Sequence, residues 1–231
     1  PSPPPRPAPA VATAPPPPEP TASTYDAIAA ADDVTQREQG TASEEPVGPL
    51  DRDVLDRLAS PAFAGSLSGA DRSSLGSVPA DDPLFTRAYT LLYLDAKARG
   101  DITDRDRNLA TLMALPENQY NPALLVEEAW VAMGRRDWTT ALARSERAER
   151  HWARLPSELI FSRKAMIYEI QAKAHLGSFY ASEGDDASEL DQAIKGWQRY
   201  KRHAETQARS DLMATADQQL ARLYDIQRRL E

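Results

Sequence analysis

Two apolar stripes with a short polar break between them constrain this chain more than any other feature of its sequence. The first stripe recurs every three to four residues from Leu125 to Met133, and the second resumes with the same spacing at Trp138. That spacing places apolar side chains on one face of an α-helix. Residues 134–137, between the stripes, carry glycine and charge and interrupt the helix. We therefore predict a helical hairpin over residues 121–156.

The two ends of this hairpin carry local signals of their own. Asn121 supplies a side chain that caps a helix, and Pro122 takes the first helical position, where its missing N–H does no harm. Pro156 marks the other end, because a proline ring clashes with the preceding turn of a helix.

Three small residues and one aromatic in the hairpin form a known pattern. Ala129 lies on the first helix, Ala141 and Ala148 lie on the second, and Trp138 begins the second helix. In this arrangement the hairpin resembles a tetratricopeptide repeat, a helix-turn-helix unit of about 34 residues. The resemblance implies an all-α fold, a short irregular stack of antiparallel helical hairpins.

The resemblance also implies a binding surface for other proteins. In that family the first helix of each hairpin lines a groove that holds the partner. Trp130 lies one step off the apolar stripe, so it is either partly buried core or a groove residue that anchors a partner. The groove positions carried over from three successive hairpins are Leu94, Lys97, Val126, Trp130, Met133, Met166, Glu169 and Lys173.

The flanking segments keep the hairpin rhythm with irregular spacing. Ile102 precedes Trp138 by 36 residues, whereas Leu190 follows Trp138 by 52 residues. Two short helices are predicted near residues 50–59 and 69–78, and both should dock onto the longer helices after them because they are too short to be stable alone. The larger predicted units are three hairpins and a terminal capping helix, at about residues 82–116, 121–156, 157–208 and 210–230.

Composition divides the chain into two parts. Residues 1–49 hold 13 of the 19 prolines and no leucine. Such a segment cannot bury enough apolar surface to offset the entropy of ordering it. We predict a disordered, proline-rich and acidic tether over residues 1–49, followed by an α-helical domain over residues 50–231.

Charge limits the kinds of partner. The formal net charge is -8, and residues 1–50 contribute seven acids against two arginines, so the helical part is close to neutral. A nucleic-acid-binding domain normally shows a basic excess, and we therefore predict no nucleic-acid partner. The expected partners are other proteins in a multi-protein assembly.

The proline-rich start suggests a compartment. It resembles the spacer that follows the lipid anchor of exported bacterial lipoproteins, so a periplasmic or outer-membrane-tethered location is expected, with the cytoplasm as the alternative. No run approaches the roughly 18 apolar residues that a membrane-spanning helix needs. Membrane contact is expected only through an anchor preceding Pro1.

Metal or cofactor chemistry has little support in the sequence. The chain has no cysteine, which excludes disulfides and thiolate zinc sites. His151, His175 and His203 are 24 and 28 residues apart and form no i,i+4 pair. We predict no metal and no cofactor.

Two basic clusters are candidate ligand sites. Around Trp197 and Tyr200, the apolar spacing favours core packing over stacking with nucleic acid. In the other cluster, interleaved Glu146 and Glu149 favour a solvated mixed-charge face over a stripe that binds phosphate or acids. That second cluster comprises Arg144, Arg147, Arg150, His151 and Arg154.

These observations lead to a functional hypothesis. No nucleophile, phosphate-loop or dinucleotide motif occurs in the sequence. We expect a non-catalytic protein-protein interaction scaffold or adaptor, within a bacterial cell-envelope assembly. The alternative is a helical enzyme or enzyme-associated domain that acts on cell-wall glycan through paired carboxylates.

Overall fold

The structure, a computed structural model, describes residues 50–59 and 67–230. Within these two stretches every regular element is helical and no strand occurs, so the predicted all-α fold is confirmed. The predicted tether over residues 1–49 lies outside the described residues.

Nine α-helices and two 3-10 turns follow one another in the described part of the chain. The 3-10 turns are Pro116–Asn118 and Trp152–Arg154. The α-helices are α1 (Arg52–Ala59), α2 (Gly69–Gly76), α3 (Phe85–Arg99), α4 (Ile102–Met113), α5 (Pro122–Gly134), α6 (Trp138–His151), α7 (Ser157–Ala181), α8 (Ala187–Thr206) and α9 (Ser210–Leu230).

Helices that are neighbours along the chain pack against each other as antiparallel hairpins. α3 packs on α4, α5 on α6 and α7 on α8, while α6 also packs on α7 and so joins the second hairpin to the third. α5 begins as the sequence predicts: Pro122 is its first residue, and the Asn121 side-chain oxygen accepts a hydrogen bond from the Ala123 N–H at 3.0 Å.

The turns between paired helices share one backbone feature. Each contains a residue in the left-handed region: Gly100 between α3 and α4, Arg136 between α5 and α6, Glu183 and Gly184 between α7 and α8, and Ala208 between α8 and α9. A left-handed residue just past a helix end lets the next N–H groups bond back to the last carbonyls. The chain is thereby reversed within a few residues.

The 25-residue helix α7 lies at the centre of the packing. Leu159 belongs to an apolar cluster shared with α1, α3, α4 and α5. Ile167 belongs to a second cluster shared with α5 and α6. Phe179 belongs to a third, shared with α8 and α9. The unusual length of α7 accounts for the stretched spacing between Trp138 and Leu190.

Two glycines permit close contacts on α7 and its partner α8. A Cβ atom at Gly177 would lie 2.6 Å from the ring of Trp138, which packs there from α6. A Cβ atom at Gly196 would lie 2.8 Å from the Cβ and 2.9 Å from the Cα of Ala172. The second contact involves backbone on both helices, so it sets how closely α7 and α8 approach.

The two short N-terminal helices dock in different ways. α1 buries Val54, Leu55 and Leu58 in the apolar cluster that it shares with α3. α2 buries no side chain and is held by polar contacts instead, since Arg72 Nη1 lies 3.4 Å from the buried carboxylate of Asp95 on α3. Among the described helices, none has the length and apolar character required to cross a membrane.

Candidate partner-binding face

Half of the residues predicted to line the groove lie in the core. Leu94, Val126, Met133 and Met166 are at most 8 % exposed. The reason is clearest on α5, where ten of thirteen residues are buried because neighbouring helices enclose it. These four side chains offer almost no surface to a partner, which corrects the prediction that they line an open groove.

The other predicted residues remain partly accessible, and three of them come together. The ammonium group of Lys173 lies 5.3 Å from the ring centroid of Trp130 and 2.5 Å from the Oε1 atom of Glu169. All three side chains are half-buried. We call Trp130, Glu169 and Lys173 the Trp130 patch. The Trp130 ring packs partly on the cluster between α5 and α7, so part of it belongs to the core.

Lys97, the remaining predicted residue, belongs to a buried polar network centred on Glu127. This carboxylate is only 1 % exposed and accepts hydrogen bonds from the Tyr93 hydroxyl at 2.7 Å and from Lys97 Nζ at 2.9 Å. Arg163 Nη1 donates to the other carboxylate oxygen at 3.2 Å. One side chain of α5 thus connects α3 to α7.

Two cations share the Glu127 carboxylate. Lys97 Nζ and Arg163 Nη1 both donate hydrogen bonds to it. The Arg163 side chain is 2 % exposed, and its Nη2 atom has no hydrogen-bond partner among the described residues. Burying unmatched charge is unfavourable, so the network depends on Glu127.

Sequence reasoning missed this network, although two signals for it were present. Glu127 is a charged residue inside a helix whose other positions are apolar on nearly all sides. Tyr93 lies between the apolar residues Leu92 and Leu94, and its hydroxyl is what reaches Glu127. Both are polar groups in sequence contexts that predict burial, and buried polar groups are normally hydrogen-bonded.

The pKa of Glu127 makes the network sensitive to acid. Burial by itself raises the pKa, but the charges of Lys97 and Arg163 and the Tyr93 hydrogen bond outweigh it and lower the pKa from 4.5 to about 2. The Glu127 carboxylate of the folded protein therefore stays unprotonated at pH values where the same group in the unfolded chain is already protonated. The resulting stabilisation is present above the unfolded pKa of 4.5 and is lost as pH falls toward 2.

We expect the stability advantage of the wild type over the variant Glu127→Gln to shrink on acidification. The advantage should be largest near about pH 6 and decrease by about 3 kcal/mol on the way to about pH 2, since one pKa unit corresponds to about 1.4 kcal/mol. Urea denaturation of both proteins at a series of pH values measures it. An advantage that stays constant over this range would contradict the lowered pKa.

One of the two acids interleaved with the basic run on α6 turns away from it. Glu149 turns toward α7 and α8, where it accepts a hydrogen bond from Gln171 Nε2 at 2.9 Å and pairs with Arg199. On the other side of the helix, Arg144 Nε lies 2.9 Å from Glu128 Oε2 on α5. The Arg147 guanidinium lies 4.3 Å from the ring centroid of Tyr120. The arginines and Glu149 therefore do not share one mixed face.

The second basic cluster is dispersed by packing. Trp197 and Tyr200 are 1 % and 3 % exposed, so both rings lie in the core as the apolar spacing predicts. Among the surrounding cations, Arg199 pairs with Glu149 on α6, and Lys201 Nζ lies 2.8 Å from Asp217 on α9. The rings are not available for stacking with nucleotide bases.

The three histidines occupy separate environments. His151 packs edge-on against Tyr120, and His175 Nδ1 lies 2.7 Å from Glu189. His203 Nε2 lies 2.9 Å from the carbonyl oxygen of Phe161, and burial lowers the pKa of this histidine. Within the described ranges, no three metal-ligating side chains cluster in a way that would hold an ion.

Carboxylates in the core are matched to cations. Asp95 is fully buried and lies 2.8 Å from Arg99 Nε, and Glu127 is bound by Lys97 and Arg163.

Comparisons of this chain with protein-family models, curated proteins and solved structures find no match.

Proposed function

We propose that this protein is a non-catalytic interaction scaffold that binds another protein through the Trp130 patch. The observation that carries the proposal is the half-buried Trp130 ring on a helix whose other side chains are almost all buried. Its neighbours Lys173 and Glu169 are already paired with each other at 2.5 Å.

The physical properties of the patch suit a binding anchor. Trp130 packs against the cluster between α5 and α7, so little side-chain entropy remains to be lost when a partner covers the rest of the ring. Tryptophan is among the residues enriched at the energetic centres of interfaces. The Lys173–Glu169 pair beside it would form a polar rim.

The hairpin architecture supports a relation to tetratricopeptide repeats as part of the same proposal. Ala129, Ala141 and Ala148 are each 0 % exposed where α5 and α6 approach each other. Small residues at these positions are what the repeat requires for close packing of its two helices. We infer that the hairpin of α5 and α6 is a tetratricopeptide-like unit in an irregular stack.

We expect Trp130→Ala to reduce partner recovery strongly. Loss of an interface anchor costs about 2 kcal/mol or more, which corresponds to at least a roughly thirtyfold weaker complex. The measurement is affinity capture of partners by the full chain from its native cells, with bound proteins quantified by mass spectrometry and the affinity of each then measured with purified components.

A matched control is available in the same chain. Trp152 is also half-buried and also lies beneath a lysine, with Lys164 Nζ 3.5 Å from its ring centroid, but it is in the turn after α6. Trp152→Ala should leave the affinity for the partner unchanged. Equal binding by the Trp130→Ala variant and the wild type would overturn the proposal.

A further inference from the structure

Four arginines lie along one side of α6 and the 3-10 turn after it. Arg144, Arg147, Arg150 and Arg154 are separated by three or four residues, and we call them the arginine flank. Residues three and four apart on a helix are neighbours on its surface. Arg150 is exposed and the other three are half-buried, so their charged groups are accessible from outside.

Few carboxylates neutralise this flank. Glu128 pairs with Arg144 at 2.9 Å, while Glu149 is engaged with Gln171 and Arg199 on the far side of α6. In the described part of the chain, Arg147 and Arg150 have no carboxylate oxygen within 4 Å, the outer limit of an ion pair. Among Arg144, Arg147 and Arg150, only Arg144 is therefore ion-paired within the described residues.

Tyr120, in the connection before α5, orders the centre of the flank. The Arg147 guanidinium lies 4.3 Å from the centroid of the Tyr120 ring. Arg154 Nη1 donates a hydrogen bond to the backbone carbonyl oxygen of Tyr120 at 3.4 Å. A guanidinium stacked on an aromatic ring keeps its N–H edge free to donate to a carboxylate. Less entropy is then lost when a ligand binds.

The carboxylate that pairs with the flank is itself poorly accommodated. Burial raises the pKa of Glu128 above its usual value, and the nearby charges of Arg144 and Arg147 do not fully offset it. The Glu128 Oε2 atom is buried and makes no hydrogen bond of good geometry. Glu128 pairs with Arg144, whereas the exposed Arg150 is accessible to a further anionic group.

We propose that the arginine flank binds an acidic peptide segment of a partner protein. Arg144 and Arg154 are ten residues apart, seven steps along α6 at about 1.5 Å each and three in the 3-10 turn at about 2.0 Å each, so the flank is at most about 16 Å long. An extended peptide covers that length with about five residues at about 3.3 Å each, and alternate side chains face the same way. Three carboxylates on alternate residues would therefore match the flank.

The charge of the whole protein favours this occupant over long polyanions. The chain carries a formal net charge of -8, which repels a nucleic acid or an anionic membrane at long range. A short peptide with a few carboxylates interacts mainly with the flank, because charges farther than about 10 Å are screened at physiological salt. The flank lies on α6, whereas the Trp130 patch lies on α5 and α7, so the two proposals are independent.

The test uses the full chain and a fluorescent five-residue peptide with glutamate at alternate positions. We expect salt-sensitive binding in fluorescence anisotropy, and about tenfold weaker binding by the double variant Arg147→Gln/Arg150→Gln, since each exposed ion pair contributes about 0.2–1 kcal/mol. The matched control is Lys195→Gln/Arg202→Gln, which removes two exposed cations from α8 and should bind within about twofold of the wild type.

Several outcomes would overturn the proposal. Equal binding of a peptide with glutamine in place of glutamate would show that charge is not recognised. Equal weakening by the two double variants would show that only net charge matters. Tighter binding of a single-stranded oligonucleotide, or of vesicles containing anionic lipid, would assign the flank to another class of partner, and absence of peptide binding at millimolar concentration would remove it as a site.

Discussion

Replacing Glu127 with alanine is expected to lower the free energy of unfolding by about 3–5 kcal/mol. The substitution leaves Lys97 and Arg163 without their common partner, and the Arg163 side chain is only 2 % exposed, so its charge cannot be hydrated in place. The Tyr93 hydroxyl also loses its hydrogen bond to Glu127. Chemical denaturation followed by circular dichroism at neutral pH measures the effect.

The adjacent residue provides a matched control for this prediction. Glu128 is half-buried and pairs with Arg144, and burial raises its pKa, so the fold does not favour its charged form. We expect Glu128→Ala to change stability by less than about 1 kcal/mol, as is usual for a partly exposed ion pair. Similar losses for Glu127→Ala and Glu128→Ala would show that Glu127 does not hold the network together.

Replacing Gly196 with alanine is expected to destabilise the protein by about 1–3 kcal/mol or more, the usual range for overpacking a core. The added Cβ atom would lie 2.8 Å from the Cβ, 2.9 Å from the Cα and 3.1 Å from the backbone nitrogen of Ala172. Because two of these atoms are backbone, α7 and α8 must move apart. Thermal unfolding, analysed together with denaturant titration, measures the loss.

The variant Gly134→Ala is a control that separates the steric effect of an added Cβ atom from the effect of alanine on helix propensity. It is the last residue of α5, and a Cβ atom there would meet nothing within 4 Å. Alanine is favoured over glycine in a helix by up to about 1 kcal/mol. Gly134→Ala should therefore be neutral or slightly stabilising. If Gly196→Ala were equally well tolerated, the close approach of α7 and α8 would not be required for the fold.

The hairpins were predictable because helix period and turn chemistry are local properties. The apolar stripes around Leu125 and Trp138 indicate which face of each helix is buried, and the cap at Asn121 indicates where α5 begins. None of this requires knowledge of distant residues. The pairing of Gly196 with Ala172 was not predictable, because it depends on the crossing point of two helices.

The exposure of the candidate partner-binding residues was predictable only in part. A family pattern indicates which helix positions face a groove, but it assumes regular spacing between hairpins. Here α7 is longer than a repeat helix and packs on both α5 and α6. Val126 and Met133 are therefore enclosed, whereas Trp130 keeps part of its ring at the surface.

Charged residues were the least predictable. The order of charges along α6 indicates a mixed face, since Glu146 and Glu149 alternate with arginines in the sequence. The structure turns Glu149 away from the arginines, because Glu149 contacts Gln171 and Arg199 on neighbouring helices. Which charges share a surface depends on tertiary partners, and one-dimensional spacing does not contain that information.

The neighbour-to-neighbour packing of the helices has a kinetic consequence. Because the largest contacts join helices that are adjacent along the chain, the fold has the low contact order that is associated with rapid folding. α9 packs chiefly on α8 and lies at the end of the stack, so it can detach while the remaining helices stay together. Amide protons of α9 should thus exchange through partial opening, whereas those of the enclosed helix α5 should require unfolding of the whole stack.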